Sequence, residues 1–188
     1  MLFRSWSTED PDHFWSEAWA DVGVIGQRAG RTSEDEGFEH KRWFPDAKIN
    51  IVETLLAGDP EAEAIVALAE DGHRRTLTRA ELRVEVAACA AALRASGVTQ
   101  GDRVVAWTPN IPETVIFALG ALSIGAIVST ASPDFGPAAL VDRFGQIEPS
   151  ILLAACEYRY GGKDFSLAAS IDEVTKALPT VSEVVVLG

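Results

Sequence analysis

The sequence predicts an α/β fold: an N-terminal helical cap followed by βαβ units of a parallel sheet covered on both faces. Three observations predict it. From Ala62 onward, short runs rich in Val, Ile, Leu and Ala alternate with helical patterns of about ten residues or more, an order that calls for crossover connections. Several of these runs are apolar throughout, as strands buried on both faces require. Before Leu56 the composition changes, with Trp6, Trp15, Trp19 and Trp43 set among charged residues. The boundary is placed between residues 1–57 and 58–188.

The elements follow in order. Residues 7–12, Ser-Thr-Glu-Asp-Pro-Asp, offer helix-start chemistry, and Phe14, Trp15, Ala18 and Trp19 then recur at helical spacing. Residues 30–37 read as a flexible insert. A short helix is expected after Pro45, with Ile49, Val52, Leu55 and Leu56 on one face and Gly58 as its stop. This section has little core of its own and reads as a cap.

Residues 64–69 predict a strand, Asp71-Gly72 a turn, and residues 74–77 the return strand of a hairpin. Thr78 with Glu81 three residues on forms a capping-box pattern. The helix it starts carries Leu82, Val86, Ala90 and Leu93 on one face and ends at Ser96-Gly97. Strands are expected over 103–107, 126–129, 150–155 and 183–187. The helices between them are expected from Pro112 to about Ile124, over 137–146 and over 167–178.

The chain has 188 residues, 47% of them apolar, which is ample for a core. Its net charge of −12 argues against nonspecific binding to nucleic acid or to an anionic membrane. The longest apolar stretch, residues 114–130, is interrupted by Gly120, Ser123 and Gly125 and is too short to span a bilayer. Cys89 and Cys156 lie in apolar surroundings and read as buried free thiols of a reducing compartment. The N-terminus shows no signal-peptide pattern, so a cytoplasmic setting is expected. His13, His40 and His73 lack metal-ligand spacing, and Asp10-Pro11-Asp12 reads as a helix cap rather than a metal site.

Three segments carry more than secondary structure. Trp43-Phe44-Pro45-Asp46-Ala47-Lys48-Ile49-Asn50 is an aromatic anchor running into a short helix. Gly101-Asp102-Arg103-Val104 leads into a strand, and Asn110-Ile111-Pro112-Glu113 opens the next helix, where Glu suits the positive end of the dipole. Ser132-Pro133-Asp134-Phe135-Gly136 is a strand-to-helix turn. Its glycine would let a ligand approach the backbone, and Phe135 offers either a stacking face or a core plug. A fourth segment, Tyr158-Arg159-Tyr160-Gly161-Gly162-Lys163, reads as a surface turn or as two cations beside a Gly-Gly pair able to grip a phosphate. Gly161-Gly162-Lys163 lacks the upstream glycine and the following Ser or Thr of a P-loop, so ATP binding there is rejected.

Together these segments resemble the acetoacetyl-CoA synthetases, AMP-forming acid–CoA ligases of the adenylate-forming superfamily, and the resemblance runs from Trp6 to Gly188. It implies the N-terminal part of the ligase fold, with ATP, CoA and Mg as cofactors of the complete enzyme. It further implies a two-step reaction through an acyl-adenylate, on acetoacetate or another short acid such as acetate or propionate. It places Phe135 and Gly136 near the adenine of CoA, and Arg159 and Lys163 at its nucleotide phosphates. The family's phosphate loop and C-terminal lysine find no counterpart before Gly188, so no catalytic residue is assigned. The expectation is a front end, inactive alone and ending before the reaction centre, with an unsatisfied strand edge at Val184-Val185-Val186 prone to association. Two alternatives stay open: a stand-alone module that keeps CoA or nucleotide binding without catalysis, and an interaction module that pairs with a separately encoded remainder.

Overall fold

The computed structural model describes residues 3–35, 37 and 39–188. The chain divides into two units, Met1–Leu55 and Leu56–Gly188.

In the first unit, helix α1 (Phe3–Glu9) precedes α2 (Pro11–Val22). Asp10 caps α2 by accepting the His13 N–H at 3.3 Å, and Pro11 opens the first turn. Neither helix buries a side chain. Their aromatic residues instead meet edge to face, Phe3 on Phe14 at 5.1 Å and Trp6 on Phe14 at 5.0 Å between ring centroids. Two-residue strands follow: β1 (Gly26–Gln27), β2 (Ser33–Glu34), β3 (Arg42–Trp43) and β4 (Lys48–Ile49), pairing antiparallel as β1 with β4 and β2 with β3.

Three expectations are corrected here. Helix α1 was not foreseen. The insert over 30–37 is pinned in part, because Ser33–Glu34 pair in β2 and Glu34 receives both Arg31 and Arg42; Glu36 of that insert lies outside the described residues. Hydrogen bonding from Arg42 is the main reason the Glu34 carboxyl is held below its usual range. The helix after Pro45 is only α3 (Ile51–Leu55), because Ile49 is taken by β4 and Asn50 accepts the Val52 N–H at 3.0 Å.

The second unit opens with the hairpin β5 (Glu63–Leu68) and β6 (Arg74–Thr78). Helix α4 (Arg79–Ala95) begins with the expected capping box, and its buried residues are Leu82, Val86, Ala90 and Leu93. The remaining elements are β7 (Arg103–Trp107), α5 (Pro112–Ser123), β8 (Ile127–Ala131), α6 (Pro137–Gly145), β9 (Ile151–Ala155), β10 (Glu157–Tyr160), β11 (Lys163–Ser166), α7 (Ala168–Ala177) and β12 (Glu183–Leu187). Strand β8 starts one residue later and ends two later than expected. The Ala126 N–H is drawn into the helix end at Ala121 O, 3.0 Å away.

Strands β7, β8, β9 and β12 form one parallel sheet in the order β12-β9-β7-β8. Residues alternate across it. Val105, Trp107, Leu152 and Ala154 pack with Leu140 and Phe144 of α6 and Ile171 and Val174 of α7. Val104, Ala106, Ile151 and Leu153 pack on the other face with Leu93 of α4 and Phe117 and Ala121 of α5. The handedness of crossovers accounts for this division. The chain leaves β7 toward β8 in one direction, then steps back past β7 to β9 and on to β12. Right-handed connections therefore put α5 on one face and α6 and α7 on the other. The expected two-sided parallel sheet is present, and its strands read as continuous apolar runs because both faces are covered. No helix among the described residues is long and apolar enough to cross a membrane.

Candidate functional site

In an open parallel sheet, ligands meet the loops beyond the carboxyl ends of the strands, where successive connections leave in opposite directions. Here that point lies between β7 and β9, since β8 flanks β7 on the far side. A cleft of about 500 Å³ opens there. Pro109, Asn110 and Ile111 after β7, Ala155 at the end of β9 and Leu187 of β12 form its floor. Glu70 and Asp71 of the β5–β6 turn and Glu157, Arg159 and Asp164 of the β10–β11 hairpin form its rim.

The hairpin itself was not foreseen. Gly161 and Gly162 have φ of 59° and 74°, which makes them the two central residues of a tight turn that joins Tyr160 to Lys163. Tyr158 stacks on Phe165 across the strands, 5.0 Å between centroids. The pairing puts Arg159 opposite Asp164 and Tyr160 opposite Lys163, so the two cations fall on alternate faces of the hairpin. Arg159 lines the cleft and approaches the Asp164 carboxylate at 3.7 Å, whereas Lys163 is exposed and does not line it.

The turn of residues 132–136 leaves the same edge of the sheet after β8. Ser132 Oγ donates to Asp134 at 3.1 Å, and the Phe135 N–H donates to Ser132 O at 3.1 Å. Phe135 is half-buried against the α6–α7 side of the core, and the Arg143 guanidinium lies 4.6 Å from its ring centroid. Gly136 is the N-cap of α6 with φ −69° and ψ 161°, and a Cβ built there would meet nothing within 4 Å. Neither its backbone nor its neighbours require glycine. Of the four sequence-derived site residues, Arg159 alone lines the cleft, while Phe135 and Gly136 stand two strands away on the same edge, about 10 Å at ordinary strand spacing.

Glu70 was missed by sequence reasoning. Its two carboxylate oxygens accept the backbone N–H groups of Gly161 at 3.0 Å and Gly162 at 3.1 Å. The Gly162 and then the Gly161 hydrogen bond hold its carboxyl below the usual range. Two convergent amides beside Arg159 are donors of the kind that seat an oxyanion, and the Glu70 carboxylate occupies them. Among the described residues no group of three His, Cys, Asp or Glu side chains is placed to hold a metal ion, and no phosphate loop is present. Cys89 and Cys156 are free and half-buried, and burial raises the Cys89 thiol above its ordinary value.

The family model described as AMP-binding enzyme matches residues 52–188, and that of the acetyl-coenzyme A synthetase N-terminus matches residues 3–55. The acetoacetyl-coenzyme A synthetase of Rhizobium meliloti (strain 1021) is 38% identical over 182 residues, covering 95% of this chain and 28% of its own length. The acetoacetyl-CoA synthetase of Macaca fascicularis is 38% identical over 191 residues, 99% of this chain and 28% of its own. The solved acetoacetyl-CoA synthetase from Streptomyces lividans superposes with a TM-score of 0.93 at 35% identity, covering 96% of this chain and 29% of that one. The chain thus spans under a third of the length of these relatives. With its parallel sheet, its carboxyl-edge cleft and a family match over most of its length, the chain belongs to the AMP-binding enzyme family.

Proposed function

We propose that the chain is the N-terminal portion of an acetoacetate–CoA ligase and contributes part of its CoA-binding surface. The complete reaction converts ATP, acetoacetate and CoA to acetoacetyl-CoA, AMP and pyrophosphate through acetoacetyl-adenylate. The observation that carries the reading is the superposition on the Streptomyces lividans synthetase across 96% of this chain. CoA contacts are proposed at Phe135, Gly136, Arg159 and Lys163. Arg159 supplies a cation at the cleft rim, and Gly136 supplies open backbone beside a helix N-terminus. ATP and Mg are assigned to no residue here, and the chain alone is proposed to be inactive. A cytoplasmic setting is part of the same proposal, and two free thiols are consistent with it. Association through the β12 edge, where Val185 and Val186 are exposed, is part of the same proposal and is read by gel filtration.

The related malonamoyl-CoA synthetase vrtB of Penicillium aethiopicum, 32% identical over 191 residues, keeps a different acid open as the substrate. The test has two arms. Calorimetry should detect CoA binding that Arg159→Ala weakens at least about tenfold, roughly one charge-assisted hydrogen bond. Pyrophosphate release from ATP and acetoacetate should stay at background with this chain alone. CoA affinity untouched by Arg159→Ala, or no CoA binding, contradicts the site. Turnover by the chain alone contradicts the proposed inactivity.

A further inference from the structure

The β5–β6 turn and the β10–β11 turn meet at a single carboxylate. Gly161 and Gly162 both have positive φ, which turns two successive N–H groups toward one point, and Glu70 fills that point with both oxygens. Each amide has one hydrogen, so a second oxyanion cannot share the pair while Glu70 holds it. The surroundings sharpen the conflict. Asp71, Glu157 and Asp164 add negative charge to the same rim, and Arg159, its cation, already faces Asp164 at 3.7 Å. A phosphate arriving with Glu70 in place would gain no amide donor and would meet repulsion.

We propose that the Gly161–Gly162 amide pair is an anion receptor whose resident occupant is the Glu70 carboxylate, and that a phosphomonoester enters it only by displacing Glu70. This rests on the CoA reading for the identity of the ligand, and it adds a competitor built into the chain. Glu70 lies on a turn tip, Ala69 to His73, whose own hydrogen bonds run through Ala69, Asp71 and Gly72. Its side chain can therefore leave the amides without breaking that turn. The apparent affinity for the phosphate is then the intrinsic affinity reduced by the fraction of molecules in which the amides are free.

A structural clip predicts the opposite sign. If Glu70 served only to hold the hairpin so that Arg159 faces the cleft, its removal would weaken phosphate binding. If it competes, its removal strengthens it. Glu70→Gln keeps the size and one of the two acceptor oxygens while deleting the charge, and Glu70→Ala removes the acceptors as well.

The experiment titrates wild type, Glu70→Gln and Glu70→Ala with CoA and with dephospho-CoA. The ¹H–¹⁵N resonances of Gly161 and Gly162 are followed alongside. The expected result is CoA binding about threefold to tenfold tighter in both variants, with dephospho-CoA unchanged. The two glycine resonances should move on CoA addition in every protein. Weaker or equal CoA binding in Glu70→Gln overturns the proposal, as do glycine resonances that stay still while CoA binds. If CoA binds and Arg159→Ala weakens it but Glu70→Gln does not tighten it, the competitor is excluded and the CoA site stands. If no protein of the set binds CoA, both fall. Should Glu70→Ala unfold, the sign of the Glu70→Gln change and the glycine resonances decide alone.

Discussion

Gly120 of α5 faces Cys89 of α4 so closely that a Cβ at Gly120 would lie 2.7 Å from the Cys89 sulfur and 2.9 Å from its Cβ. The two helices cover one face of the sheet, and glycine is what allows their approach. Helix propensity alone favours Ala over Gly by about 1 kcal/mol. Gly120→Ala should nevertheless destabilise the chain by about 1–3 kcal/mol through overpacking. Cys89→Ala in the same chain should recover part of that loss, since the sulfur leaves but the Cβ remains. Urea unfolding measures both, and a Gly120→Ala chain as stable as wild type would refute the contact.

Arg103 ties the start of β7 to the segment before β9. Its guanidinium donates to Ile147 O at 2.7 Å and to Glu148 O at 3.0 Å, next to a Glu148 backbone with φ of 50°. Arg103→Met should cost about 2–4 kcal/mol through loss of two charge-assisted bonds. Because Arg103 lies at the amino end of the strand, CoA affinity should not change. A stability loss accompanied by loss of CoA binding would contradict that division.

Gly136→Ala separates folding from ligand approach. The site has ordinary φ and ψ and open space around the missing Cβ, so stability should stay within about 1 kcal/mol of wild type. CoA affinity should fall at least about threefold if the ligand lies against this backbone. Unchanged affinity removes residues 132–136 from the site.

Two carboxylates that accept backbone N–H groups, Asp102 in the turn before β7 and Glu81 in the first turn of α4, make stability depend on pH with a definite sign. Asp102 is lowered chiefly by the Thr99 N–H, and Glu81 chiefly by the Thr78 N–H. A native value below the unfolded one contributes stability above the ordinary carboxylate range. That contribution is lost as pH falls through the native value. The urea midpoint should therefore drop on acidification below about pH 5. Asp102→Asn and Glu81→Gln should each lower the neutral-pH midpoint and flatten the acid slope. An acid slope unchanged in both variants would show that these two carboxylates do not contribute it.

The parallel sheet was legible because its information is local. Thr78 and Glu81 announce a helix from three residues apart, and Val104 to Trp107 are apolar on both faces. The β10–β11 hairpin was missed although Gly161-Gly162 between Tyr158-Arg159-Tyr160 and Lys163-Asp164-Phe165 carries a turn signal. The same residues also fit a phosphate-gripping loop, whereas the strand alternation assigns Arg159 and Lys163 to different faces. Glu70 could not have been found from spacing. Its partners lie 91 and 92 residues away, and only the fold brings the two turns together. In the first unit the two-residue strands were illegible because they are held by isolated contacts such as Glu34 with its two arginines.

The central claim is that the loops at the carboxyl edge of this sheet meet CoA, and hydrogen–deuterium exchange with and without saturating CoA tests it most directly. The account predicts slowed exchange over residues 132–136 and 158–163, with the amino edge around Arg103 and Ile147 unchanged. Protection confined to the amino edge, or none at a CoA concentration that calorimetry shows to be saturating, would contradict it.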